Sequence, residues 1–380
     1  MSLQKIGKYI EEFTKKNKND APYPVYSVTN SNGFCTDYFS KDVSGQDKTT
    51  YKIVPKGYFA YNPSRINVGS IDWQNSEDNV IVSPLYVVFK CSDSLDQDYL
   101  KYFLKSSVGV RLINEKTSGS VRNSLKFKEL SEFELNIVDV EEQRKIVNTL
   151  KLIESAIENE KKQINLYDEL VKARFVEMFG DPVLNEKGWN TKPLLEMGSC
   201  KNGMNFHYED SGIDINCLGV GDFKEYSVIE NTALLPIVSL NKMPEPEYLL
   251  QDDDIVFVRS NGNKALVGRS VAVYPGTTPT TFSGFCIRYR KHDDAITIPY
   301  LLRVLKTDSI RMKMAGRGAN IQNLNQQILG ALIIPVPPID LQKQFSEFIK
   351  HIDKSKFVAK KRLKLYEELL EKKTYDFYIR

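Results

Sequence analysis

The chain has 380 residues, 27% of them charged and 41% hydrophobic, and a formal net charge of +3. That length allows two or three domains, each able to bury a core, and the mild basicity permits a nucleic-acid partner without demanding one. No apolar run approaches the roughly 20 residues that span a bilayer, and the charged, amphipathic start MSLQKIGKYIEEF lacks the apolar segment of a signal peptide; the expectation is a cytoplasmic protein with no membrane partner.

Residues 1–137 read as mixed α/β. Lys52–Tyr61 and Val80–Phe89 are rich in β-branched and aromatic residues and read as strands. Residues 97–116 carry helical spacing through Leu100, Phe103 and Leu104, and Gly119 is a stop signal followed by a loop through Asn123. A long helix is expected over 141–179. Its seam, Ile146, Leu150, Ile153, Ile157, Ile164, Val171 and Met178, steps by fours, threes and sevens, with Glu160 and Tyr167 at the remaining positions. About 38 residues would span roughly 57 Å, too long for one small domain, and Gly180-Asp181-Pro182 ends the run. The pattern then starts again near Gly188-Trp189. Asp254–Arg259 and Arg269–Val273 read as strands, Pro299–Leu305 as a helix, and Leu332–Ile339 as a proline-stiffened lead into a second long helix over 340–378. The second seam is Phe345, Ile349, Ile352, Leu363, Tyr366, Leu370 and Phe377.

The two halves repeat each other at a constant offset of 199. Gly119–Leu125 (GSVRNSL) returns as Gly318–Leu324 (GANIQNL), Gln143 as Gln342, and Tyr167–Leu170 as Tyr366–Leu369. Two copies of one unit, each a variable region followed by a long helix, are economically arranged around a pseudo-two-fold axis with the helices packed antiparallel. The alternative is that each helix pairs with another subunit.

The proline-rich lead LIIPVPPIDLQKQF at 332–345, its weaker copy LNIVDVEEQRKI at 135–146, and the Tyr-Glu-Glu-Leu-like helix ends closely resemble the specificity subunit of Type I restriction–modification systems, over essentially the whole chain. The resemblance implies an α/β (α+β type) fold of two target-recognition domains, residues 1–140 and 181–338, joined by two long antiparallel coiled-coil helices, 141–180 and 339–380. Each domain would read one half of a bipartite double-stranded DNA target, while the helices set the unread gap and dock two methyltransferase subunits. Those partners would bind S-adenosylmethionine and methylate adenine at N6, and a restriction subunit using ATP and Mg would complete the complex. The chain itself would bind no cofactor and catalyse nothing. One departure stands out: Asp139-Val140-Glu141 replaces Pro338-Ile339-Asp340, so the two junctions should differ in rigidity.

Base reading uses Arg for guanine and Asn or Gln for adenine, while Lys, Arg, Ser and backbone N–H groups hold phosphate. Such residues concentrate on two loops in each half. The first loop offers Asn62, Ser64, Arg65 and Asn67, answered by Arg259, Ser260, Asn261, Asn263, Lys264 and Arg269. The second offers Ser118, Ser120, Arg122, Asn123 and Lys126, answered by Arg317, Asn320, Gln322 and Asn323. Arg311 and Lys313 precede the latter as phosphate contacts. The plain alternatives are a polar surface hairpin and a helix-capping turn. The basic run Lys354, Lys356, Lys360, Lys361, Arg362 and Lys364 reads as the solvated face of the coiled coil or a docking face.

Enzymatic readings fail on chemistry. Asn62-Pro63-Ser64-Arg65 lacks the aromatic that stacks a flipped base. Asp252-Asp253-Asp254 alternate faces and read as a polar strand cap rather than a metal site. Five scattered cysteines and three distant histidines give no zinc spacing, and the thiols read as reduced and semi-buried. The competing class is a non-catalytic coiled-coil scaffold with tandem protein-binding domains, which would favour exposed aromatics or Met at the loops.

Overall fold

The structure is a computed structural model and describes residues 3–36, 48–117, 124–206, 211–224, 227–315 and 323–380. It divides into two compact units, residues 1–163 with 359–380, and residues 164–358. Each unit therefore combines one variable region with part of each long helix.

In the first unit an antiparallel sheet runs in the order Ile10–Glu12, Val87–Cys91, Phe59–Tyr61, Ile71–Trp73. Each of the two strands expected from sequence is broken in two. Gly57, at φ +85, turns the chain between Lys52–Pro55 and Phe59–Tyr61, and residues 83–86 separate Asn79–Val82 from Val87–Cys91. Helix α1 (Gln97–Lys105) buries Tyr99, Leu100, Phe103 and Leu104 with Phe59 and Phe89, which stack at 4.9 Å between ring centroids. The expected single helix over 97–116 breaks at Ser106, which caps α2 (Ser107–Thr117) by accepting the N–H of Gly109 at 3.1 Å. The short helix α3 (Phe127–Leu130) and a strand Glu134–Leu135 lead into α4 (Val140–Phe179).

The second unit repeats this order. Its five-stranded sheet runs Gly198–Asn202, Cys286–Lys291, Asp254–Val258, Ser270–Val273, Val228–Ile229, with only the last pair parallel. Then come α5 (Ile298–Leu305), α6 (Asp308–Ala315), α7 (Gln326–Gly330) and α8 (Ile339–Tyr378). Both long helices have 40 residues and their ends differ by 199 positions. The unequal junctions reach the same boundary by different chemistry. Asp139 caps α4 by accepting the N–H of Glu142 at 2.9 Å, whereas α8 starts directly after the Pro337-Pro338 pair, whose fixed φ suits a first turn.

A buried glutamine locks each helix start to its own unit. Gln143, fully buried, accepts the N–H of Asp96 at 2.8 Å and donates to the carbonyls of Ser94 and Val138 at 2.9 and 2.7 Å. Gln342 does the same with the N–H of Thr297 and the carbonyls of Ala295 and Pro337 at 2.9, 2.8 and 2.8 Å. A Gln amide has both donors and an acceptor, so one side chain satisfies three backbone groups.

The far end of the opposite helix closes each core. In the first unit the buried Tyr378 hydroxyl donates to the carbonyl of Tyr99 at 2.9 Å, and its own carbonyl accepts the N–H of Asn136. In the second, Phe175 and Phe179 pack against Tyr300 and Phe345. The helices run antiparallel within each unit: Arg362 pairs with Glu160 at 2.8 Å in the first and Lys356 with Asp168 at 2.5 Å in the second. The seam read from sequence lies buried or half-buried along both helices. It also contains Lys356 and Ala359, so the basic run is not wholly a solvated face. Lys354, Lys360, Lys361 and Lys364 are exposed, but Lys356 and Arg362 are engaged in the helix pair.

Candidate nucleic-acid interface

Each unit brings its two candidate loops together through the same hydrogen bond. In the first unit Asn62–Ser70 joins two sheet strands. It contains a single turn at Ile66–Val68, anchored by buried Ile66, and reverses at Gly69, whose φ of +82 only glycine adopts freely. The N–H of Leu125 donates to the carbonyl of Pro63 at 3.0 Å, and the Tyr61 hydroxyl donates back to Leu125 at 3.2 Å. In the second unit the N–H of Leu324 donates to the carbonyl of Arg259 at 2.8 Å, and Gly268, at φ +77, reverses the loop. The residues that end each Gly-centred loop are thus stapled to the base of the hairpin loop.

Ser64, Arg65, Asn67, Asn263, Lys264, Arg269, Lys126 and Asn323 are exposed, while Ser260 and Asn261 are half-buried. Ser118, Ser120, Arg122, Asn123, Arg317, Asn320 and Gln322 lie outside the described residues. Three of the asparagines also serve their own loops. Asn62, Asn261 and Asn263 accept the N–H groups of Ser64, Asn263 and Ala265 at 3.1, 2.7 and 3.1 Å, so bidentate pairing with adenine there would compete with these turns.

The second unit places several cations behind its loop. Arg311 donates to the carbonyl of Val267 at 3.1 Å and braces it. Burial, then the neighbouring Arg269, lowers the Arg311 pKa. Burial lowers that of Lys306 to about 8, and nearby Arg303, Lys356 and Arg269 add to the effect against a single opposing Asp168. The equivalent residue in the first unit, Lys105, is likewise lowered by burial and donates to the carbonyl of Asn30 at 3.3 Å. Asp168, Asp308 and Glu169 lie near this group, so Arg269, Arg303, Lys306, Arg311 and Lys356 keep only part of their positive charge as a counter-charge for phosphate.

Sequence reasoning missed two features here. Leu85 and Phe285, at the tips of the connections that lead into Val87–Cys91 and Cys286–Lys291, are 77% and 61% exposed. Phe285 sits beside its candidate loop: its carbonyl accepts the N–H of Arg259 at 2.7 Å, and the Arg259 guanidinium donates to Gly284 at 3.4 Å. Asp254, expected to be a polar strand cap, opens its strand and accepts the N–H of Gln251 at 2.8 Å, but it is also fully buried and held by Arg290 through two hydrogen bonds of 2.8 and 2.7 Å. Arg290 is 36 residues away, and no local pattern reveals that pairing.

Among the described residues no group of His, Cys, Asp or Glu could hold a metal ion. Burial pushes Cys91, Cys200 and Cys217 up to about 12 and Cys286 higher still, so these are inert thiols at neutral pH. No helix among the described residues is long and apolar enough to cross a membrane.

The model of the Type I restriction modification DNA specificity domain matches residues 2–166 and again 186–369. The chain belongs to this family. It is 23% identical over 276 residues to the Type I restriction enzyme StySPI specificity subunit of Salmonella potsdam, a match that covers 68% of this chain and 58% of that protein. The matched stretch thus spans less than two thirds of that relative's length. Two solved structures share the fold over nearly their full lengths. A chain from a study of complex assembly and conformational transition in the type I R-M system aligns with a TM-score of 0.62 at 14% identity, covering 98% of this chain and 96% of that one. The Type I S subunit from M. genitalium aligns with a TM-score of 0.54 at 15% identity, covering 100% and 96%. The duplicated family match coincides with the duplicated fold, and a DNA specificity domain is a recognising part rather than a catalytic one.

Proposed function

We propose that this chain is the DNA sequence-recognition subunit of a Type I restriction–modification complex and reads an asymmetric, bipartite target. The observation that carries this reading is the pair of loops joined in each unit by the Leu125–Pro63 and Leu324–Arg259 hydrogen bonds. They supply Arg, Asn, Ser and Lys at equivalent places on two frames of the same design, and the side chains differ between the frames, so the half-sites should differ. On this reading the two long helices fix the unread gap, with half-sites about 10 base pairs apart centre to centre, and dock two adenine-N6 methyltransferase subunits, through which a restriction subunit joins. S-adenosylmethionine, ATP and Mg belong to those partners.

The test is an adenine-methylation map of DNA from cells that express this chain with the methyltransferase encoded beside its gene, against the methyltransferase alone. A split, non-palindromic motif that requires this chain is the expected result. A palindromic motif, or none although the two proteins co-purify, overturns it. Arg65→Ala should then relax one half-site by about 1–3 kcal/mol if the guanidinium reads guanine, whereas a uniform loss with a shallower salt slope would assign it to phosphate.

A further inference from the structure

Single exposed apolar side chains are common and need no explanation. Leu85 and Phe285 differ in two respects, and Phe285 in a third. They occupy the same register: Phe59 faces Phe89 across one sheet and Ile255 faces Tyr289 across the other, so position 85 in one unit corresponds to position 285 in the other. Each is the exposed large apolar residue at the tip of the connection that leads into its strand. In the second unit the tip is also tied to the reading loop, because the N–H of Arg259 donates to Phe285 while its guanidinium donates to Gly284. Arg259, the tip and the end of the Gly-centred loop thus meet at one point, through hydrogen bonds of 2.7, 3.4 and 2.8 Å.

The neighbours of Phe285 in the loop are polar: the N–H groups of Arg259 and Ser260 both donate to its carbonyl. A protein-docking surface would need a contiguous apolar patch of several hundred Å². One apolar group set among hydrogen-bonding side chains instead matches the mixed character of a base edge. The thymine edge in the major groove carries a hydrogen-bond acceptor and a methyl group, and apolar side chains read the methyl.

We infer that Leu85 and Phe285 are specificity-determining residues, each packing on a thymine methyl within the half-site its unit reads. The inference rests on the DNA-recognition reading above. It explains why the position keeps an exposed large apolar side chain in both units while the chemistry of the loops around it diverges.

The experiment starts from the motif mapped for the wild-type chain and uses the full chain with its methyltransferase. Duplexes carrying deoxyuridine for thymine, one position at a time, lose only the methyl. One such substitution in one half-site should weaken binding by roughly tenfold in the wild type and have no further effect in Phe285→Ala. Leu85→Ala should show the same behaviour in the other half-site. Both side chains are exposed, so both variants should keep the wild-type melting temperature. Absence of any wild-type motif would overturn the recognition reading itself. A wild-type motif with unchanged affinity and specificity in both variants would overturn only this inference and leave the tips to a protein partner. Uridine effects that persist undiminished in the variants would overturn it as well.

Discussion

Replacing Gln143 with leucine tests the lock between a long helix and its unit. The change keeps a similar volume but removes one acceptor and two donors, and so strands the N–H of Asp96 and the carbonyls of Ser94 and Val138. An unpaired buried backbone group costs about 1–3 kcal/mol. Ser94 is exposed and Asp96 and Val138 are half-buried, so water recovers part of this, and the lower end gives about 3 kcal/mol in total. A unit of this size loses about 2–4 °C per kcal/mol, so calorimetry should show its transition about 6–12 °C lower. Amide exchange at Asp96 should accelerate in the same variant. Gln143→Glu should be worse, since it keeps the acceptor but turns a carboxylate oxygen toward two carbonyls. Gln342→Leu should produce the same loss in the second unit through Thr297, Ala295 and Pro337. A shift below 2 °C with unchanged exchange at Asp96 would refute the argument.

Three further outcomes are expected. Arg362→Ala leaves Glu160 in the seam without its cation and should destabilise the first unit by roughly 1–3 kcal/mol, while Glu160→Leu beside Ala359 should be neutral or stabilising; chemical denaturation of both variants decides this, and equal losses would mean the pair sets no preference. Lys306→Met should stabilise the second unit by about 1–2 kcal/mol below pH 8. The sign follows from a folded pKa near 8 against about 10.4 unfolded: between these values the unfolded wild type keeps a proton the folded chain has shed, so wild-type stability rises with pH. The advantage of the variant should therefore shrink across that window, and melting curves at pH 7, 8.5 and 10 would expose a constant difference. Gly69→Ala meets both a positive φ and the Asn30 amide, whereas Gly188→Ala, at φ +69, meets only open space. The first should cost clearly more than the second, itself about 1 kcal/mol, and equal thermal shifts would discard the clash.

The repeat, the two helices and their seams were legible because a constant offset and a seven-residue period survive in sequence whatever the variable regions do. Residues that work within one turn of their neighbours were also legible, as with the hairpin loops. What escaped was set by distant partners. Gln143 appeared as part of a repeated pattern, but its role depends on backbone groups 47 and 49 residues upstream. Lys356 looked like one more solvated lysine until Asp168 faced it across the helix pair. Leu85 lay hidden inside an apolar run that read as one continuous strand, and the local register there differs by 200 rather than 199. Asn62 and Asn263 carried a nucleic-acid-reading chemistry in their composition, yet the geometry also employs them in their own turns.

The way the first unit is closed bears on how the protein is made. Tyr378 seals that core by bonding to Tyr99, 279 residues earlier in the chain. The second unit needs nothing beyond residue 358. A ribosome that emits the chain in order releases the N-terminal sheet and helices long before their closing piece exists, while the unit that follows can complete its own core sooner. The usual order, in which the N-terminal domain matures first, is thereby inverted: the part synthesised earliest waits longest for its final contacts and spends that interval with an unsealed apolar face.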